Sequence, residues 1–200
     1  MPLKSSFAKD AFIDAAFKIA RTKGWNNLSA RSLAKELNCS TMPIYSHIKS
    51  MKLLEKELKK RAINILLTYQ TTKRTEQAFF DMGLGYVLFA KQEKNLFRFL
   101  FGSGTGGEKY RNSRSILKEF AFKTLIQKMR DDPIFEGVDE KSLNNILTKM
   151  WIFVHGLAVL INNNAFASAS DDDLQALLKE TGRFIVKGEK SKNEMDKKSF

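Results

Sequence analysis

Side chains able to do covalent chemistry are scarce in this 200-residue chain. There are two histidines, His47 and His155, and a single cysteine, Cys39. They form no metal-spaced Cys/His cluster, and no nucleophile-elbow pattern occurs. The run Gly102-Ser103-Gly104-Thr105-Gly106-Gly107 is glycine-rich, but it lacks a Gly-Lys-Ser/Thr ending and follows no strand, so it reads as a helix connection rather than a phosphate cradle. Neither an enzyme nor a cofactor is expected. The chain offers non-covalent chemistry instead. Arg31, Lys35, Lys49, Lys52 and Lys56 lie on or beside a stretch carrying Thr41, Met42, Tyr45 and Ser46. Cations so placed neutralise phosphates and release counterions. Short polar and apolar side chains on one narrow helix can read base-pair edges in a major groove.

Charge supports that placement. The net charge is +12, and it is uneven: residues 1–75 hold 15 Lys+Arg against 5 Asp+Glu, whereas residues 76–200 hold 19 against 17. One end suits a polyanion and the rest is nearly balanced. A lone cysteine permits no intrachain disulfide, which fits a reducing, cytoplasmic setting. The N-terminal stretch lacks the apolar core of a secretory signal. The run Met150–Ile161 is too short to span a bilayer, which needs roughly 20 residues, and reads as a buried helix.

The elements that must position these groups are helices. Phe7, Ala8, Ala11, Phe12, Ala15, Ala16, Ile19 and Ala20 recur at three- and four-residue steps, and Gly24 stops the first helix. Ser29 caps a short second helix carrying Leu33, Ala34 and Leu37. Asn38 suits the left-handed turn after it. Ser40 is expected to cap a third helix, with Ile44 and Ile48 inward and Pro43 in its first turn. A fourth helix is expected from Ser50 to about Thr72, with Leu53, Leu54, Leu58, Ile65 and Leu66 as its apolar side. Further helices are expected over 75–91, 94–101, 111–130, 139–163 and 171–187, the last two capped by Asp139 and Asp171. The charged tail 189–200 is expected to be disordered. With no alternating apolar run, the fold class is all-α: a helix-turn-helix domain over 1–52 and a helical ligand-binding and dimerisation domain over 53–188.

The stretch from Ile13 to Ser50 resembles the DNA-binding region of the TetR family of transcription regulators. The resemblance rests on Ala15-Ala16 on the first helix, Gly24-Trp25 after it, Leu33-Ala34-Lys35 on the second helix and Tyr45-Ser46-His47-Ile48-Lys49 at the end, at matching spacing and without gaps. It implies a homodimer on near-palindromic double-stranded operator DNA, with repression relieved by a small molecule. It places Tyr45 and His47 on the DNA backbone and Arg31 where some relatives read a guanine. Ser40, Thr41, Met42, Pro43 and Ser46 fall on the base-facing helix, and Lys49 and Lys52 beside phosphates. Two positions depart from the family pattern: Asn38 replaces the usual turn glycine, and Met51 replaces a lysine that holds a phosphate.

In the second half, Trp151-Ile152-Phe153-Val154-His155-Gly156 resembles the Trp…His-Gly element of one TetR subgroup. The resemblance implies that the last two long helices pair with their copies in a second subunit. Leu157, Ala158, Leu160 and Ile161, with Leu174, Leu177, Leu178 and Ile185, supply two apolar stripes for that purpose, and Gly156 and Ala158 permit close approach. Met82, Tyr86, Phe89, Phe120, Trp151 and His155 are the candidates for lining a pocket for a largely hydrophobic effector. A membrane-surface role for the basic fourth helix would need a free apolar face, whereas Leu53, Leu54 and Leu58 are expected to be used in packing.

Overall fold

Helix α1 (Lys9–Lys23) forms on the predicted stripe: Phe12, Ala15, Ala16, Ile19 and Ala20 are buried. It ends at Gly24, whose φ of 89° suits a residue without Cβ. After a 3₁₀ turn at Trp25–Asn27 comes α2 (Ala30–Glu36), started by a reciprocal capping box in which the Ser32 amide donates to Ser29 Oγ and the Ser29 amide to Ser32 Oγ. The computed structural model describes residues 9–47, 50–102, 121–166 and 170–198. All its described regular structure is helical.

The remaining elements are α3 (Met42–His47), α4 (Met51–Thr71), α5 (Ala78–Gln92), α6 (Lys94–Phe101), α7 (Phe122–Arg130), a 3₁₀ turn at Pro133–Phe135, α8 (Glu140–Asn162) and α9 (Asp171–Lys198). They divide into two compact units, residues 1–64 with 93–110 and residues 65–92 with 111–200. The boundary falls within α4, after Asn64.

In the first unit α1 packs against α2, α3 and α6. Trp25 stacks on Phe99 of α6 at 4.8 Å, and Leu96, Phe97 and Leu100 are buried. Leu54 and Leu58 of α4 are buried as expected, but Leu53 is 65% exposed. The helical repeat puts Leu53 one step round from Leu54, off the core-facing side.

In the second unit α8 packs chiefly against α5 and α9. α8 is long and apolar enough to cross a bilayer by length and composition. Its face bearing Leu143, Ile146, Met150, Val154, Ala158 and Ile161 is nevertheless buried, as in a core helix. α5 begins at Ala78 rather than 75 because the Asp81 carboxylate gathers the turn before it. That carboxylate accepts the Arg74 and Thr75 amides and the Thr75 hydroxyl. α5 meets the end of α4 backbone to backbone: a Cβ on Gly85 would stand 2.1 Å from the Tyr69 carbonyl oxygen.

Three further boundaries differ from expectation. The cap of α9 is Ser170, not Asp171: the Asp173 amide donates to Ser170 Oγ while the Ser170 amide donates to the Asp173 carboxylate. α9 does not stop near 187 but continues to Lys198, so the expected disorder from 189 is replaced by helix. One anchor of this extension is Glu189, which is buried and accepts hydrogen bonds from Asn145 and Lys149 of α8. Finally, Ser40 does not directly precede α3. The Thr41 carbonyl receives the Ile44 and Tyr45 amides, making Thr41 the capping position, and Pro43 sits where its missing N–H is not needed. Of the helix expected over 111–130, residues 111–120 lie outside the described part, as does Ile48.

Candidate nucleic-acid interface

A six-residue helix has no stability of its own in water. α3 is held by what precedes it and by one anchor. Asn38, at φ 51°, takes the left-handed conformation. The Cys39 amide reaches the Ala34 carbonyl at 3.0 Å and the Asn38 amide the Lys35 carbonyl at 3.3 Å. This Schellman turn closes α2 and redirects the chain. Ile44 then inserts into the core shared with Leu33 and Ala34 and is only 2% exposed. Burying such a side chain contributes about 1.5–3 kcal/mol, the largest single contribution available to α3.

That anchor fixes which way the rest of α3 faces. Met42 is 80% and Tyr45 73% exposed. They stand three residues apart, on one face, next to half-buried Thr41 and Pro43 and exposed Ser40. Arg31 on α2 and Lys52 at the start of α4 are exposed. The side chains of Ser46 and His47, and all of Lys49, lie outside the described part. Met51, where the resemblance leads one to expect a lysine, is 46% exposed at the first position of α4.

Several cations of this unit are committed to ion pairs. Lys18 and Lys23 both reach Glu36, Arg21 grips Glu93 through two nitrogens, Arg61 meets Asp14 and Lys59 meets Glu55. The hydrogen bond from Lys18 holds the Glu36 carboxyl below its ordinary value. Most of these pairs tie one helix to another. By contrast Arg31, Lys35, Lys52 and Lys56 are exposed and form no ion pair among the described residues. These four cations, on α2 and the first half of α4, are left for a polyanion. Exposed Met42 and Tyr45 on α3, with uncommitted cations on α2 and α4, are suited to a grooved polyanion.

Sequence reasoning missed Asn95. Its side-chain amide donates to the Arg21 and Thr22 carbonyls, both at 3.0 Å, closing the end of α1 from α6. Nothing in the local pattern of residues 94–101 marks it.

Of the residues expected to line an effector pocket, three come together in the second unit. The Tyr86 hydroxyl and His155 Nδ1 share a 2.8 Å hydrogen bond, and Trp151 stacks on the His155 ring at 5.3 Å. Burial pushes the His155 pKa down from 6.5 to about 4, so the imidazole is neutral at physiological pH. Met82 and Phe89 are buried on α5, Phe89 lying edge-on to Tyr69. Phe120 lies outside the described residues.

The stripes expected for subunit pairing are divided. Leu157, Ala158 and Ile161 of α8 and Leu174 and Leu178 of α9 are buried within their own unit. Ala158, expected at a close helix approach between subunits, is fully buried instead, because it shares the inward face with Val154 and Ile161. The residues left outside are Ile152 (61% exposed) and Leu160 on α8, four residues either side of an uncrowded Gly156, and Leu177 and Phe184 (68% exposed) on α9. Ile185 is half-buried.

No protein-family model matches the chain. An uncharacterised HTH-type transcriptional regulator, YobS of Bacillus subtilis (strain 168), is 23% identical over 163 residues, covering 80% of this chain and 81% of the relative. A single-substitution variant of TetR from Acinetobacter baumannii AYE, solved in complex with minocycline, superposes with a TM-score of 0.55 at 17% identity, covering 91% of this chain and 92% of that one. A TetR-like transcriptional regulator of Rhodococcus sp. RHA1 gives the same TM-score at 13% identity, covering 90% and 96%. The chain has the all-α fold of TetR-like regulators, a helix-turn-helix followed by a helical C-terminal part.

Proposed function

We propose that this protein is a sequence-specific DNA-binding transcription regulator of the TetR type, acting in the cytoplasm without catalytic activity. The observation that carries the reading is the division of α3. Ile44 is locked inward while Met42 and Tyr45 stand almost bare, and Arg31 on α2 and Lys52 on α4 are exposed. A soluble helix gains nothing by exposing a methionine and a tyrosine on one face unless a partner covers them. The major groove accepts a helix of this kind, and thymine methyls and base edges are the contacts that Thr41, Met42, Pro43 and Ser46 can make. Ser40, Tyr45, His47 and Lys49 serve the phosphate rails, and Arg31 serves a guanine or a phosphate.

The regulator acts as a homodimer. Ile152, Leu160, Leu177 and Phe184 give α8 and α9 an uncovered apolar face, and a second copy covers it by two-fold symmetry. The operator is then a near-palindrome whose half-site centres lie about 34–36 Å apart or a multiple of that distance. A largely hydrophobic effector binds among Met82, Tyr86, Phe89, Phe120, Trp151 and His155. It releases the operator by favouring one spacing of the two DNA-binding heads over the other. The Trp151…His155-Gly156 element supports placing the chain in the Trp-His-Gly subgroup.

Selection of bound duplexes from a random DNA pool tests this. The expected result is enrichment of one inverted repeat. Recovery of unenriched sequence at moderate salt would remove the regulator reading.

A further inference from the structure

We propose that the second unit carries a surface site for a small amphiphilic monocarboxylate, held between α9, the start of α5 and the turn after α7. The site is a groove of about 210 Å³. Its floor is apolar: Phe79, Phe80, Met150, Leu178 and Val186, with Ile134 at one end. Its rim carries two cations on consecutive turns of α9, Lys179 and Arg183. The Lys179 ammonium sits 4.9 Å from the Phe80 ring centroid, so it stands at the junction of the apolar floor and solvent. Neither cation forms an ion pair among the described residues.

Among the described residues, the one carboxylate that lines the groove is already committed. Asp132 is buried and accepts the Phe79 amide at one oxygen and the Ile134 amide at the other, each at 3.1 Å. It organises the wall from a buried position, while the two cations stand exposed at the rim. An apolar trough ending in two cations selects for a short hydrocarbon tail with an anionic head. The volume is below the roughly 300–1,000 Å³ of drug-sized pockets, which favours a small acid.

The floor can also yield. Met150 Cε lies between two glycines: a Cβ on Gly182 of α9 would stand 3.9 Å from it, and a Cβ on Gly83 of α5 would stand 3.0 Å from it. An unbranched thioether flanked by bare backbone can swing without displacing a helix.

The groove also stays open when the apolar face of α9 is covered. Lys179 follows Leu178 by one residue, about 100° round the helix in one direction, and Leu177 precedes it by about 100° in the other. Phe184 lies two turns from Leu177, on the same side. A subunit seated on Leu177 and Phe184 therefore leaves Lys179, on the far side of α9, accessible, with Arg183 about 100° round from Phe184. The site does not depend on the DNA-binding reading, and none of the residues expected to line the effector pocket belongs to it.

The test uses the full chain with octanoate, octanol and octylammonium as probes, followed by the methyl NMR signals of Met150 and Ile134. Octanoate should shift both signals saturably and bind about tenfold more tightly than octanol, as expected for charge-assisted recognition of the head group. Octylammonium should bind more weakly still. In the surface double variant Lys179→Gln, Arg183→Gln, octanoate should fall to the affinity of octanol while octanol itself is unchanged. That comparison is internal to the variant, so a change in folding cannot mimic it. Equal affinity for the three probes overturns the proposal. So do methyl shifts that centre on Met82 or Ile152 instead, or octanoate selectivity that survives in the double variant.

Discussion

Asn95 closes the C-terminal end of α1 from a distant part of the chain, its amide donating to the carbonyls of both Arg21 and Thr22 at 3.0 Å. The last carbonyls of a helix have no partner within it, so this side chain substitutes for solvent where Glu93 also grips Arg21. Asn95→Ala should lower stability by about 1–2 kcal/mol, two hydrogen bonds at ordinary net strength. Asn95→Asp should cost at least as much, since a carboxylate cannot donate to a carbonyl. Urea unfolding of both variants checks this, and unchanged midpoints would show that water replaces Asn95 without loss.

Arg31 and Lys52 are both exposed cations beside α3, but they should respond to different assays. Arg31→Ala should weaken binding to the enriched operator by about 1–3 kcal/mol and relax its preference at one base pair. Equal weakening on every sequence would assign Arg31 to a phosphate. Lys52→Ala, like Lys49→Ala, should weaken all sequences alike and lower the salt slope by about 0.9 for each phosphate no longer neutralised.

Burial of His155 makes stability depend on pH with a definite sign. The unfolded chain takes up the imidazole proton near 6.5, whereas the folded protein resists until about 4. The contribution is fully present above pH 6.5 and is lost as pH falls toward 4, amounting to a few kcal/mol across the window. Denaturant unfolding at stepped pH values should show this decline, and His155→Gln should flatten it. A variant as acid-sensitive as the parent would place the origin elsewhere.

Ile152 and Phe184 should matter to assembly and not to the fold, because each is mostly outside its unit. Phe184→Glu should shift the protein to monomer in sedimentation while leaving its helical content unchanged. It should also weaken operator binding, since two linked heads bind far better than one. A dimer that persists unchanged would move the interface off α8 and α9.

Much of this was readable from residues three and four apart. Ser29, Asn38 and Asp139 behave as their side chains require, because capping is local chemistry. The inward Ile44 and outward Met42 and Tyr45 follow from the helical period once the core side is known. What stayed hidden is non-local. Tyr86 and His155 were legible as separate candidates, but no pattern announces a hydrogen bond across 69 positions. Asp81 gathering the turn before α5, and Glu189 anchoring α9 past residue 187, depend on partners that only packing brings near. The apolar stripes of α8 and α9 were visible, yet which half faces inward is decided by α5. Leu157 and Ala158, expected between subunits, therefore turn into their own core.

The functional reading rests on α3 presenting Thr41 and Met42 to a base-pair groove while Tyr45 meets the phosphate backbone. Fluorescence anisotropy at moderate salt, comparing the enriched duplex with a shuffled one of equal length, tests it most directly. The expected result is a preference of at least about 10³ for the enriched duplex, collapsing toward the shuffled value in Thr41→Ala, Met42→Ala while the helical content stays intact. Equal affinity for the two duplexes, or a preference untouched by that double variant, contradicts it.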